Sequence, residues 1–168
     1  RADYLYVMAE ATPWPAAEAL YTGAASTLRT ALVDDPDRDR AHITFLATLM
    51  AKGHDLDGAI GLLDEYETIY PDEPTWAMEA AALLQEAEDY EDALAHADRA
   101  VELAWGDNLL RAARTRAELL MALERDEEAR SYVSTVLAEE PEPVEGTRIR
   151  THKYRTALAE VVVAEPME

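Results

Sequence analysis

The strongest constraint on this chain is that it repeats itself about every 34 residues. Ala24, Ala59, Ala93 and Ala129 stand 35, 34 and 36 residues apart. Four residues after each comes Leu28, Leu63, Ala97 or Val133, and seven after comes Ala31, Tyr66, Ala100 or Val136. Three before comes Tyr21, Leu56, Tyr90 or Asp126, and twelve after comes Pro36, Pro71, Trp105 or Pro141. In the last three units Ala47, Ala81 and Ala117 stand twelve residues before the anchor alanine. A period of this size means a stack of supersecondary units, each burying its apolar face against the next.

The offsets say what each unit is. Apolar or small residues at 0, +4 and +7 form one face of an α-helix. Proline at +12 stops that helix, because it lacks an amide hydrogen and clashes with the preceding turn. The upstream stretch carries its own helical stripe, as in Ile43, Leu46, Ala47 and Met50, and Gly53 near its end suits a helix stop. Each unit is therefore helix A, a short turn and helix B, with small residues letting the pair approach closely. The spacing predicts helices near 2–11, 15–34, 39–53, 56–69, 73–88, 90–104, 108–124, 126–139 and 145–163. The last has no partner after it. Ile149, Leu158, Val161 and Val162 mark its apolar side, opposite Arg148, Arg150, Lys153 and Arg155. A solenoid needs such a cap over its last stacking face. We read residues 1–168 as a single domain: an irregular first unit 1–38, repeats 39–72, 73–107 and 108–141, and a capping helix at about 145–163.

This pattern resembles the tetratricopeptide repeat (TPR) family, most closely in Glu88-Asp89-Tyr90-Glu91-Asp92-Ala93-Leu94 with Ala97 and Ala100 following. The family places small residues where Ala81, Ala93 and Ala100 stand, an aromatic at Tyr90, and proline at Pro71 and Pro141. The resemblance covers roughly residues 5–141. It implies an all-α fold, a right-handed superhelix of helix pairs with a concave groove lined mainly by A helices. Several positions depart from it. Trp105 replaces the terminal proline of one unit, and Pro13 and Pro15 fall where the first A helix should run, making it short or displaced. Asp126 replaces the aromatic of the last unit, and Arg116 occupies a position expected to be apolar.

Composition agrees with helix and excludes several functions. The chain has 32 Ala, and its basic residues are 13 Arg and 2 Lys. Ala, Leu, Glu and Arg are strong helix formers, while strand-favouring aromatics sum to 7%. A net charge of −20 argues against a nucleic-acid or anionic-membrane binder, both of which need a basic face. No run approaches the ~18 apolar residues of a membrane span, so we expect no membrane insertion. Without Cys there is no disulfide, thiolate zinc site or thiol redox chemistry in this segment. The chain starts at Arg1, without an initiator Met or signal peptide, as expected of a trimmed form or a piece of a longer protein.

Nothing in the sequence carries an enzyme motif: there is no P-loop, GxGxxG, GxSxG or HExxH. His42, His54, His96 and His152 are scattered. Asp92 and His96 lie one helical turn apart, but a third metal ligand has no source, and a solvent-facing pair explains them. We expect no catalytic residue, metal or cofactor. Trp76 and Trp105 fall at junctions between units and read as packing residues, with a ligand platform as the alternative. Met78 is a packing residue that also suits the groove wall.

Charge distribution is the feature above background. Residues 1–107 carry a net −17 and residues 108–168 a net −3. The basic groups of the second part concentrate on two successive A-type helices: Arg111, Arg114 and Arg116 on one, and Arg148, Arg150, Lys153 and Arg155 on the cap. In repeat register, Arg111 and Arg114 point into the groove, and the cap brings Arg150 and Tyr154 alongside, while Arg116 points elsewhere. Arg offers paired donors to carboxylates. Arg111, Arg114, Arg150 and Tyr154 are thus the candidate ligand-binding residues. The bland alternative is that these Arg only neutralise neighbouring acids. The two-carboxylate clamp of some TPR modules does not carry over, because Thr44, Thr48 and Glu79 stand where its Lys and Asn belong.

A second resemblance covers the same repeats and the cap. Leu103 to Arg111 and Arg150-Thr151-His152-Lys153-Tyr154-Arg155 look like TPR regions that follow a thioredoxin-like domain in some bacterial proteins. It implies a C-terminal accessory module of a redox protein, with the Cys pair upstream. The leading expectation is a non-catalytic scaffold, a monomer that binds a protein or peptide in its groove, with an acidic segment as the charge-matched case. The expected setting is soluble, in a bacterial cytoplasm or periplasm.

Overall fold

In the computed structural model, residues 1–34, 40–139 and 149–163 are described. They form helices and connecting turns, with no strand among the described residues. The helices are α1 (Ala2–Glu10), α2 (Ala16–Asp34), α3 (Arg40–Lys52), α4 (Leu56–Ile69), α5 (Thr75–Glu86), α6 (Tyr90–Leu103), α7 (Asp107–Ala122), α8 (Asp126–Glu139) and α9 (Ile149–Val161). The chain divides into two compact units, residues 1–71 and 72–168. In the first, α1 packs on α2, α2 on α3 and α3 on α4; in the second, α5 packs on α6, α6 on α7 and α7 on α8. Pro36, Pro141, Arg148 and the expected first turn of the cap lie outside the described residues.

The repeat register explains the packing. Every anchor alanine is fully buried: Ala24, Ala59, Ala93 and Ala129, and equally Ala47, Ala81 and Ala117 on the A helices. Where three helices meet in the second unit, the contact is made by Ala77, Ala100 and Ala112, one from each of α5, α6 and α7. Alanine there leaves no space for a larger side chain. Ala93→Leu should overpack α6 against its neighbours and cost about 1–3 kcal/mol. The check is the urea midpoint, and an unchanged midpoint would mean that Ala93 does not face the helix pair.

Three A-to-B turns share one geometry. The amides of Asp55, Asp89 and Arg125 donate to the carbonyls of Met50, Leu84 and Leu120, at 2.9, 3.0 and 2.8 Å. This six-to-one bond closes the A helix, and it needs a left-handed residue just before the donor. That residue is His54, Glu88 or Glu124, with φ of 64°, 63° and 59°. The stop signal expected at Gly53 is thus carried by His54. Gly53 has a different reason to be glycine: a Cβ there would stand 3.1 Å from the Thr22 hydroxyl and 3.2 Å from the Leu49 carbonyl, where α2 approaches the end of α3.

The first unit departs from the repeat as the prolines require. Pro13 and Pro15 lie between α1 and α2, so the A helix is displaced upstream and reduced to 9 residues. Polar contacts then tie α1 down. Tyr21 donates its hydroxyl to Glu10 Oε1 at 2.5 Å, and Lys52 Nζ reaches the same oxygen at 3.1 Å while lying over the Tyr6 and Tyr21 rings. These bonds to its charged form hold the Glu10 carboxyl below its usual range, Tyr21 contributing most.

At the other end, α9 packs chiefly on α7 and only lightly on α8, whereas α7 packs chiefly on α6 and lightly on α5; the cap expected in the next A-helix place leans on the A helix before it. Leu158 enters a core made by Leu110, Ala113, Ala117, Val133 and Val136. Thr151 donates to Asp107 Oδ1 at 2.6 Å. Arg155 Nη2 donates to the Leu137 carbonyl at 3.0 Å, in the last turn of α8 where carbonyls lack helical partners. The basic side of this helix is therefore not uniformly a solvated face: Arg155 is spent on fixing the cap.

Candidate functional site

Helix α7 has two faces with different work. Leu110, Ala113, Ala117 and Leu120 are buried. Asn108, Arg111, Arg114, Thr115 and Glu118 fall on the other side and line a cleft. Helix α5 supplies Thr75, Met78, Glu79 and Ala82, again one helical face, and α9 supplies Tyr154. The cleft has a volume of about 390 Å³. It is thus built by α5, α7 and α9 of the second unit, and its third wall depends on the docking of α9.

The cleft brings together three of the four residues expected from the sequence. Arg111, Arg114 and Tyr154 line it; Arg150, exposed in the first turn of α9, is not among its lining residues. Tyr154 is half-buried and packs against the core beneath α9. Arg114 Nε donates to Glu118 Oε1 at 2.8 Å, one turn along the helix. The side chain of Arg111 is exposed and makes no ion pair among the described residues. Met78 lines the cleft. Sequence reasoning missed Glu118, whose signal was its position four residues after Arg114, the spacing of a helical ion pair.

Arg116 points to the other side of α7, as the helical register requires. Its side chain is only 18% exposed, with Nε 2.6 Å from Asp98 on α6 and Nη2 3.6 Å from Glu128 on α8. The guanidinium lies 4.2 Å from the centre of the Tyr132 ring. An arginine at an expected apolar position is tolerated because an aromatic face and two carboxylates receive it. The Tyr132 hydroxyl is buried without a hydrogen-bond partner, and burial pushes it up to about 12. Its neutral form is favoured in the folded chain, so its contribution is intact below pH 10 and falls away as pH rises through 12. An ultraviolet titration should show one tyrosine ionising about two units above the ordinary value near 10. Ordinary titration of every tyrosine would contradict the burial.

The two junction tryptophans part company. Trp76 is buried, at 1% exposure, as its packing role requires, whereas Trp105 is 81% exposed and packs little of its surface. Ala104 is extended, and Gly106 adopts φ 58° and ψ −131°, a conformation that side chains with a Cβ resist. The corner carries the indole outward. A smaller cleft of about 130 Å³ lies between α2 and α3 of the first unit. There Arg29 Nη2 contacts the Met50 sulfur at 3.0 Å.

No family model matches the sequence, and no curated protein matches it. A solved structure does: a tetratricopeptide repeat protein from Parabacteroides merdae, with a TM-score of 0.56 and 17% identity, over 95% of this chain. The fold is that of a tetratricopeptide repeat protein. The chain spans about three fifths of that protein's length, since 59% of it is covered. The all-α, TPR-like fold that the resemblance implied is therefore the observed one. In TPR terms the cleft lies on the A helices of two successive repeats and on the cap, all within the second unit. Among the described residues, no helix is long and apolar enough to cross a membrane.

Proposed function

We propose that this chain is a non-catalytic interaction scaffold that takes a protein or peptide segment into the cleft between α5, α7 and α9. Arg111 meets a carboxylate of the partner, Arg114 adds its positive charge beside it, and Tyr154 offers a flat surface to one of the partner's side chains. The observation that carries this reading is the convergence of Arg111, Arg114 and Tyr154, from two helices, on one cleft of about 390 Å³ in an otherwise anionic chain. A TPR-like fold supports a protein partner in general terms. Arg150 has no place in the cleft and belongs, in this reading, to its rim. The redox-accessory alternative finds no support in the structure.

The test is a peptide array probed with the wild-type chain and with two charge-reversal proteins, Arg111→Glu/Arg114→Glu and Arg130→Glu. Arg130 is exposed on α8 and does not line the cleft. A charge-assisted hydrogen bond is worth about 1.5–3 kcal/mol, or roughly 10- to 150-fold in affinity. Binding of acid-containing peptides should be lost in the double variant and kept in Arg130→Glu. Equal binding by all three proteins would mean that the two arginines only neutralise their surroundings.

A further inference from the structure

We propose that the cleft selects a segment carrying a single carboxylate beside an apolar side chain, and discriminates against runs of acidic residues. This rests on the cleft being the binding site, and it concerns what the site accepts. Four ionisable side chains with fixed charge line it: Arg111 and Arg114, against Glu79 and Glu118. The two signs balance. Arg114 is engaged by Glu118 at 2.8 Å, which leaves Arg111 as the guanidinium without an ion pair among the described residues. One incoming carboxylate finds complementary donors at Arg111. A second one, a residue away, finds Arg114 already held by Glu118, so no further guanidinium of the cleft offsets its repulsion from the first.

The remaining surface is apolar or neutral. Met78, Ala82 and Tyr154 line it together with the neutral Thr75, Asn108 and Thr115. A volume of 390 Å³ is near the lower end of the ~300–1,000 Å³ typical of small-ligand pockets. It therefore holds a few side chains at most, and an apolar group next to the carboxylate fills what the charge does not. The Arg114–Glu118 pair sets the limit of one: neutralising Glu118 would free Arg114 and make the cleft accept a second carboxylate.

The probes are three fluorescent hexapeptides, acetylated and amidated so that only side chains carry charge. One has a single Glu between Leu and Tyr in a Gly/Ser background, one has Gln in place of that Glu, and one has four consecutive Glu. Anisotropy is read with the full chain at two salt concentrations. The single-Glu peptide should bind tightest to the wild type, with the Gln and four-Glu peptides each about tenfold weaker. Glu118→Gln should shift preference toward the four-Glu peptide. Tightest wild-type binding of the four-Glu peptide, abolished by Arg111→Glu, would overturn the selectivity and leave the cleft as the site. If no peptide binds, or binding ignores Arg111→Glu, the site and its selectivity fall together.

Discussion

Leu158→Ala is expected to lower the stability of the second unit by about 2–5 kcal/mol, the range for emptying a leucine-sized space in a packed core. Leu158 is fully buried and is the residue by which α9 enters the core of α7 and α8. Tyr154, Val161 and Val162 pack against the same core, and two hydrogen bonds, Thr151 to Asp107 and Arg155 to the Leu137 carbonyl, add to the docking, each with a net contribution of about 1 kcal/mol. The apolar contact therefore dominates the docking of the helix. Urea denaturation followed by circular dichroism should show a lower midpoint. A second consequence follows from the same geometry. Tyr154 lies one helical turn before Leu158 and forms a wall of the cleft, so binding should weaken well below the unfolding midpoint. A variant with unchanged midpoint and unchanged binding would mean that α9 is not seated on α7.

The 34-residue period made most of this legible in advance, because it is a statement about burial. Alanines at positions 24, 59, 93 and 129 recur since a larger side chain cannot stand between the paired helices, and each is fully buried. Helix ends were legible wherever a proline or a repeat boundary marked them. Among the described residues, ends fall within two residues of the expected ones apart from the start of the cap. Arg111 and Arg114 were legible for the same reason: their orientation follows from the buried stripe of their own helix. Arg150 was not. The rotation of α9 is fixed by what Leu158 and Arg155 meet, the core of α7 and α8 and the Leu137 carbonyl, and the stripe of α9 does not name those partners. Trp105 misled because the repeat assigns its position to a chain-stopping residue and says nothing of where the side chain goes. The backbone of Ala104 and Gly106 decides that, and it sends the indole into solvent.

The partly buried Arg116 gives the other large effect. Arg116→Glu is expected to cost about 3 kcal/mol, and it is no neutral control for the cleft. The arginine joins three helices: Asp98 on α6 at 2.6 Å, Glu128 on α8 at 3.6 Å, and the Tyr132 ring at 4.2 Å. A hydrogen bond to a charged group contributes about 1.5–3 kcal/mol, and a partly desolvated cation over an aromatic ring adds about 0.5–2. Asp98 and Glu128 are each more than 40% exposed, so solvent screens part of the ionic contribution. Charge reversal adds a further penalty, since a third carboxylate then faces the two already there. Arg116→Lys separates these effects. It keeps the charge but loses the planar fork and the stacking, and should fall between wild type and Arg116→Glu. Arg130→Glu, on the exposed surface, should stay within about 0.5 kcal/mol of wild type. Denaturant midpoints of the three variants decide the matter. If Arg116→Glu and Arg130→Glu melt alike, the contacts of Arg116 contribute nothing to holding α6, α7 and α8 together, and the exposed ends of the ion pairs have dissipated their strength into water.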